Sequence, residues 1–107
     1  MLPVKNRTIE LYKQVGAEFR LMKEVTAKLC VDASKVLTPA ETDSMMRALG
    51  RLDQTCSKAE DHMFKDHPEV SNEYLSVFYG DLSDSSNNPI DEEIIGIAKK
   101  VADELFK

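Results

Sequence analysis

The chain has 107 residues, 42% apolar and 31% charged, with four Gly, four Pro and no Trp. That mix suits one globular domain spanning residues 1–107 and argues against a disordered or all-β chain. The net charge of -5 is local, because Asp81, Asp84, Asp91, Glu92 and Glu93 carry it and the remaining acids balance the 14 bases, which leaves no domain-wide basic field for a nucleic acid.

No run approaches the roughly 18 apolar residues of a membrane span, and Met1 to Arg20 lacks the apolar centre of a signal peptide. A cytoplasmic protein with two reduced cysteines is expected. The first predicted helix covers about residues 6–36, started by Asn6 or Thr8. Its apolar seam is Tyr12, Val15, Phe19, Met22, Thr26, Leu29, Ala33 and Val36, at steps alternating between 3 and 4. Its bases, Lys5, Arg7, Lys13, Arg20, Lys23, Lys28 and Lys35, alternate with Glu10, Glu18, Glu24 and Asp32. This pattern reads as a solvated face with intrahelical ion pairs rather than a phosphate-tracking stripe.

The second helix, 39–66, has the clearest start in the chain. Thr38-Pro39-Ala40-Glu41 is a capping box with proline at the first helical position. Behind it Met45, Leu49, Leu52, Cys56, Ala59 and Met63 form a second seam of the same 3.5-residue period. Two long seams joined by a few residues require an antiparallel hairpin. Gly16 and Gly50, beside the two seams, either mark close approach of another helix backbone or are tolerated surface glycines. In that hairpin Cys30 and Cys56 sit roughly 15 Å apart in level, too far for a disulfide. Both read as small buried hydrophobes. Met22, Met45 and Met63 read as core filler, with Met46 on the flank.

Asp66-His67-Pro68-Glu69 breaks the second helix, and a third is expected over 68–79, with Val70, Tyr74, Val77 and Phe78 as its apolar stripe and Gly80 as its stop. Residues 81–88 read as an acidic flexible loop. Asn88 and Pro89 start a fourth helix, 89–106, whose first-turn carboxylates suit the helix dipole. The expected fold class is therefore all-α, an antiparallel bundle of four helices built on the long hairpin.

Chemistry finds little purchase in this pattern. His62, Asp66 and His67 are the weak metal or catalytic candidates, but the two histidines lie about 140° apart around one helix, and the Glu-x-x-His of di-iron bundles is absent. No nucleophile stands beside a base, and there is no phosphate loop or zinc spacing. No cofactor is expected. The helix lengths say more. The hairpin should be roughly 42 Å long, and helices of about 18 and 27 Å cannot both cover it. If the fourth helix returns downwards, Leu29, Ala33, Val36, Leu37, Met45, Met46 and Leu49 face water; if it climbs over the tip, they are covered. The first arrangement predicts a non-enzymatic interaction module, adaptor or regulator, whose bare end is covered by a second copy in a homodimer or by another protein's helix, with no nucleic acid and no membrane as partner. The alternative is a metal-binding or enzymatic bundle using His62, Asp66 and His67.

Overall fold

A computed structural model of the chain describes residues 1–80, 82 and 88–105, and every regular element among them is helical. Three α-helices are present there: α1 (Ile9–Ala33), α2 (Pro39–Asp66) and α3 (Pro89–Leu105), with 3-10 turns at Val4–Asn6 and Asn72–Ser76. None of them is long and apolar enough to cross a membrane.

Local chemistry sets the helix starts. The Leu11 amide donates to Thr8 Oγ1 (3.1 Å) at the head of α1. At α2 the capping box closes in both directions: the Glu41 amide donates to Thr38 Oγ1 (3.2 Å) and the Thr38 amide to Glu41 Oε1 (2.9 Å). Each bond satisfies an amide that has no partner inside the helix. At α3 the Asp91 amide donates to Asn88 Oδ1 (2.8 Å). α1 stops at Ala33, short of the expected residue 36, because its last turn tightens: the Val36 and Leu37 amides both donate to the Ala33 carbonyl.

α1 and α2 fold back on one another as the expected hairpin, which gives the molecule a long axis of 47 Å against 27 Å in the other two directions. The side of α1 turned to α2 differs in part from the expected seam. Tyr12, Phe19, Thr26 and Ala33 face inward as expected, but the alternate positions are Gly16, Lys23, Cys30 and Leu37, each one residue later than predicted. Met22, Leu29 and Val36 are left exposed. The small side chains of Gly16 and Cys30 let neighbouring chain approach where Val15 and Leu29 would hold it off.

The expected third helix over 68–79 does not form, so the four-helix count is corrected to three helices and a 3-10 turn. The segment closes three-residue turns instead, the Tyr74 amide donating to the Ser71 carbonyl and the Val77 amide to the Tyr74 carbonyl, and its end is drawn onto α1: Arg20 donates to the carbonyls of Ser76 (3.0 Å) and Gly80 (3.1 Å), and Lys23 to that of Phe78 (3.1 Å). Val77 and Phe78 are fully buried and anchor this segment, each contributing roughly 1.5–3 kcal/mol by burial. Gly16 carries the close approach: a Cβ there would lie 2.5 Å from the Val77 carbonyl oxygen. At Gly50 no atom comes within 4 Å of such a Cβ, so the surface reading holds there.

The core lies in the lower half of the molecule, where Tyr12, Ala17, Cys56, Met63, Val77, Phe78, Ile94 and Ala98 form one cluster. α3 packs on α1, beginning beside Lys13 and Arg20 and ending against Leu21, Met22 and Val25. It neither returns down the hairpin nor reaches the tip. The expected acidic loop lies outside the described residues except for Leu82 and Asn88, as does Phe106 at the end of the fourth predicted helix.

Candidate functional surface

The bases of α1 depart most from expectation. Arg7, just before α1, and Lys13, Arg20 and Lys23 within it are turned into the protein and pair across elements, whereas Lys28 forms the expected intrahelical pair with Asp32 and Lys35 reaches the same carboxylate from the turn after the helix. Arg20 is the deepest. Its Nη2 lies 2.6 Å from Asp91 Oδ1 with both side chains buried, and its other nitrogens serve the Gly80 and Ser76 carbonyls. One guanidinium thus joins α1, α3 and the segment between α2 and α3. Gly80 makes room for it: its φ is +132°, and a Cβ would lie 2.5 Å from Arg20 Nη2. Below, Lys13 binds Glu93 (2.9 Å) and lies over the Tyr74 ring. The acids of the α3 first turn therefore do more than favour a helix dipole.

Lys23 sits beside Cys56. Its Nζ donates to the Phe78 carbonyl, lies 3.6 Å from Cys56 Sγ and stacks over Tyr79. Burial pushes the Cys56 thiol above its usual pKa even against the pull of the Lys23 ammonium, which keeps it a protonated, unreactive group. Cys30 and Cys56 are both buried free thiols.

The three metal or catalytic candidates do not converge. Asp66 faces inward, 3.0 Å from Arg7 Nε, and accepts a hydrogen bond from the Tyr12 hydroxyl. His67 Nε2 donates to the Arg7 carbonyl (2.7 Å), with the Tyr12 ring edge-on to it. His62 is exposed and lines a groove that Arg7 and Tyr12 also border, together with Met1, Leu2, Leu11, Val15 and Ala59, but neither Asp66 nor His67 lines it. Among the described residues no group of three or more His, Cys, Asp or Glu is disposed to hold a metal ion. Asp66 and His67 instead tie the N-terminal segment to the end of α2. No sequence pattern marked Arg7 and Tyr12 as their partners.

The upper hairpin is bare of α3. Of the seven residues expected there, Leu29 (53%), Val36 (83%) and Met46 (51%) are exposed, while Ala33, Leu37, Met45 and Leu49 are half-buried between the two helices. Val25, absent from the predicted set, is 56% exposed beside Leu29. No protein-family model matches this chain, no curated protein matches its sequence, and no solved structure matches its fold. Its surface is the remaining guide to function.

Proposed function

We propose that the chain is a non-enzymatic protein–protein interaction module, an adaptor or regulator, that offers the uncovered half of its hairpin to another helix. The observation that supports this reading is the set of exposed apolar side chains at and beyond the end of α3: Val25 at that end and Leu29, Val36 and Met46 past it. Val25 and Leu29 lie on α1, Val36 in the turn and Met46 on α2; apolar surface of this kind is unfavourable in water, and monomers seldom keep large patches of it uncovered. Two kinds of occupant satisfy the reading, a second copy of the chain or a helix of another protein. The alternative, a metal-binding or enzymatic bundle built on His62, Asp66 and His67, draws no support from their placement, since Asp66 and His67 are engaged by Arg7 and Tyr12.

The test is quantitative affinity capture from the native host, run in parallel with the double variant Leu29→Asp/Val36→Asp, alongside sedimentation of both proteins. Loss of a captured protein, or of self-association, in the variant supports the reading. Identical capture by both, or a wild-type chain that captures nothing and stays at 12.1 kDa as concentration rises, overturns it.

A further inference from the structure

α1 carries a second heptad seam besides the one facing α2. One residue earlier at every step lie Leu11, Val15, Glu18, Met22, Val25, Leu29 and Asp32, and Val36 continues the spacing in the turn after Ala33, with steps alternating between 4 and 3. From Met22 onward this ridge is open: Met22 is 53% exposed, and Val25, Leu29 and Val36 follow with half or more of their surface in solvent. Grooves flank it on both sides. One, of about 240 Å³, lies toward α2 between Val15, Phe19, Met22 and Leu52. The other, of about 410 Å³, lies toward α3 between Leu21, Val25, Val101 and Leu105. Glu18 borders both. A ridge between two grooves is the surface onto which a further helix packs.

The charge pattern selects the occupant. In heptad terms every a position of this seam is apolar (Val15, Met22, Leu29, Val36), while the d positions alternate between apolar and acidic (Leu11, Glu18, Val25, Asp32). A second copy laid antiparallel sets each d against an a, so Glu18 and Asp32 each meet an aliphatic side chain. Laid parallel, d meets d, and each carboxylate meets another carboxylate or an aliphatic side chain. Pairing of the ridge with itself desolvates the Glu18 carboxylate opposite no cation of the ridge, which is costly. A helix with cations at the matching levels removes that cost and gains charge-assisted pairing. Asp32 already has Lys28 (2.6 Å) from its own helix and Lys35 (3.6 Å) from the turn that follows it. Glu18, among the described residues, has only the Gln14 amide at 3.4 Å. Discrimination therefore falls mainly on Glu18.

Taking the interaction-module reading as its basis, we infer that the ridge of α1 from Leu11 to Asp32 docks a basic amphipathic helix of a partner protein, apolar on a heptad repeat, with Lys or Arg at two positions two heptads apart facing Glu18 and Asp32.

The test uses two fluorescent synthetic helices with identical apolar heptads, one carrying Lys and the other Glu at two d positions two heptads apart, titrated with the full chain by anisotropy. The Lys helix is expected to bind at least about tenfold more tightly, Glu18→Lys to reverse the preference, and Leu29→Asp to abolish binding of both. Both changes are at exposed or half-exposed positions, and circular dichroism checks that the variants keep their helices. Equal affinity for the two peptides overturns the inference. If neither peptide binds but the chain forms a dimer that Leu29→Asp dissolves, the inference fails and the interaction-module reading stands. If neither peptide binds and the chain is monomeric, the inference is overturned, and the capture experiment judges the broader reading separately.

Discussion

Arg20 and Asp91 form an ion pair of 2.6 Å inside the protein, with the Arg20 side chain fully enclosed and that of Asp91 nearly so. α1 and α3 are held together by a contact whose two halves lie 71 residues apart in the chain. Removing one half strands the other charge in a site closed to water. Asp91→Ala is expected to cost about 3–5 kcal/mol, enough to unfold a marginal domain, whereas the apolar pair Arg20→Met/Asp91→Leu is expected to cost less than Asp91→Ala alone. Urea unfolding of the three proteins checks the order, and a double variant no more stable than Asp91→Ala would contradict it.

The two helix glycines should respond in opposite directions. A Cβ at Gly16 meets the Val77 carbonyl oxygen at 2.5 Å and Val77 Cγ1 at 2.6 Å, so Gly16→Ala forces the 3-10 segment away and is expected to cost about 1–3 kcal/mol. At Gly50, with open space around the new methyl group, alanine is expected to stabilise by about 0.4–1 kcal/mol through the unfolded chain's lost freedom. Thermal midpoints moving in the same direction for both would refute this.

Tyr12 provides a pH signature. Burial first, then the hydrogen bond to Asp66 and that residue's charge, push its pKa from 10.0 up to about 12. The folded state therefore favours the neutral phenol. Its contribution to stability is present in full below pH 10, the unfolded value, and is lost as pH rises through about 12. The phenolate absorbance of wild type minus that of Tyr12→Phe should show a midpoint near 12. A difference component titrating near 10 would mean that Tyr12 is neither buried nor bonded to Asp66 in solution.

Thiol labelling should separate the two ends of the hairpin. Cys56 is wholly enclosed in the core and Cys30 is 5% exposed near the uncovered end, outside the core cluster. Local opening of the hairpin tip exposes Cys30, but Cys56 requires the core to open. Cys30 is expected to react with an alkylating reagent several-fold faster in native conditions, as read by mass spectrometry of Cys30→Ser and Cys56→Ser. Equal rates would show that the hairpin opens only as a whole.

The sequence by itself determined the features that depend on neighbours within four residues. The Thr38–Glu41 box and Pro39 placed α2 at 39–66, Asn88 capped α3, and two seams of equal period required the hairpin, because capping and periodicity are local properties of one helix. It also showed that the later helices are too short to cover that hairpin, which needs only residue counts and a fixed rise. Tertiary structure alone decided which heptad of α1 turns toward α2, since Leu29 and Cys30 are both apolar and only the partner surface distinguishes them. It alone decided that Arg20, Lys13 and Lys23 turn inward, because the carboxylates and carbonyls they meet lie on other elements. The stripe over 68–79 was overruled in the same way: its end is tied to α1 through the Ser76, Phe78 and Gly80 carbonyls and by the burial of Val77 and Phe78, contacts that no local window of sequence contains.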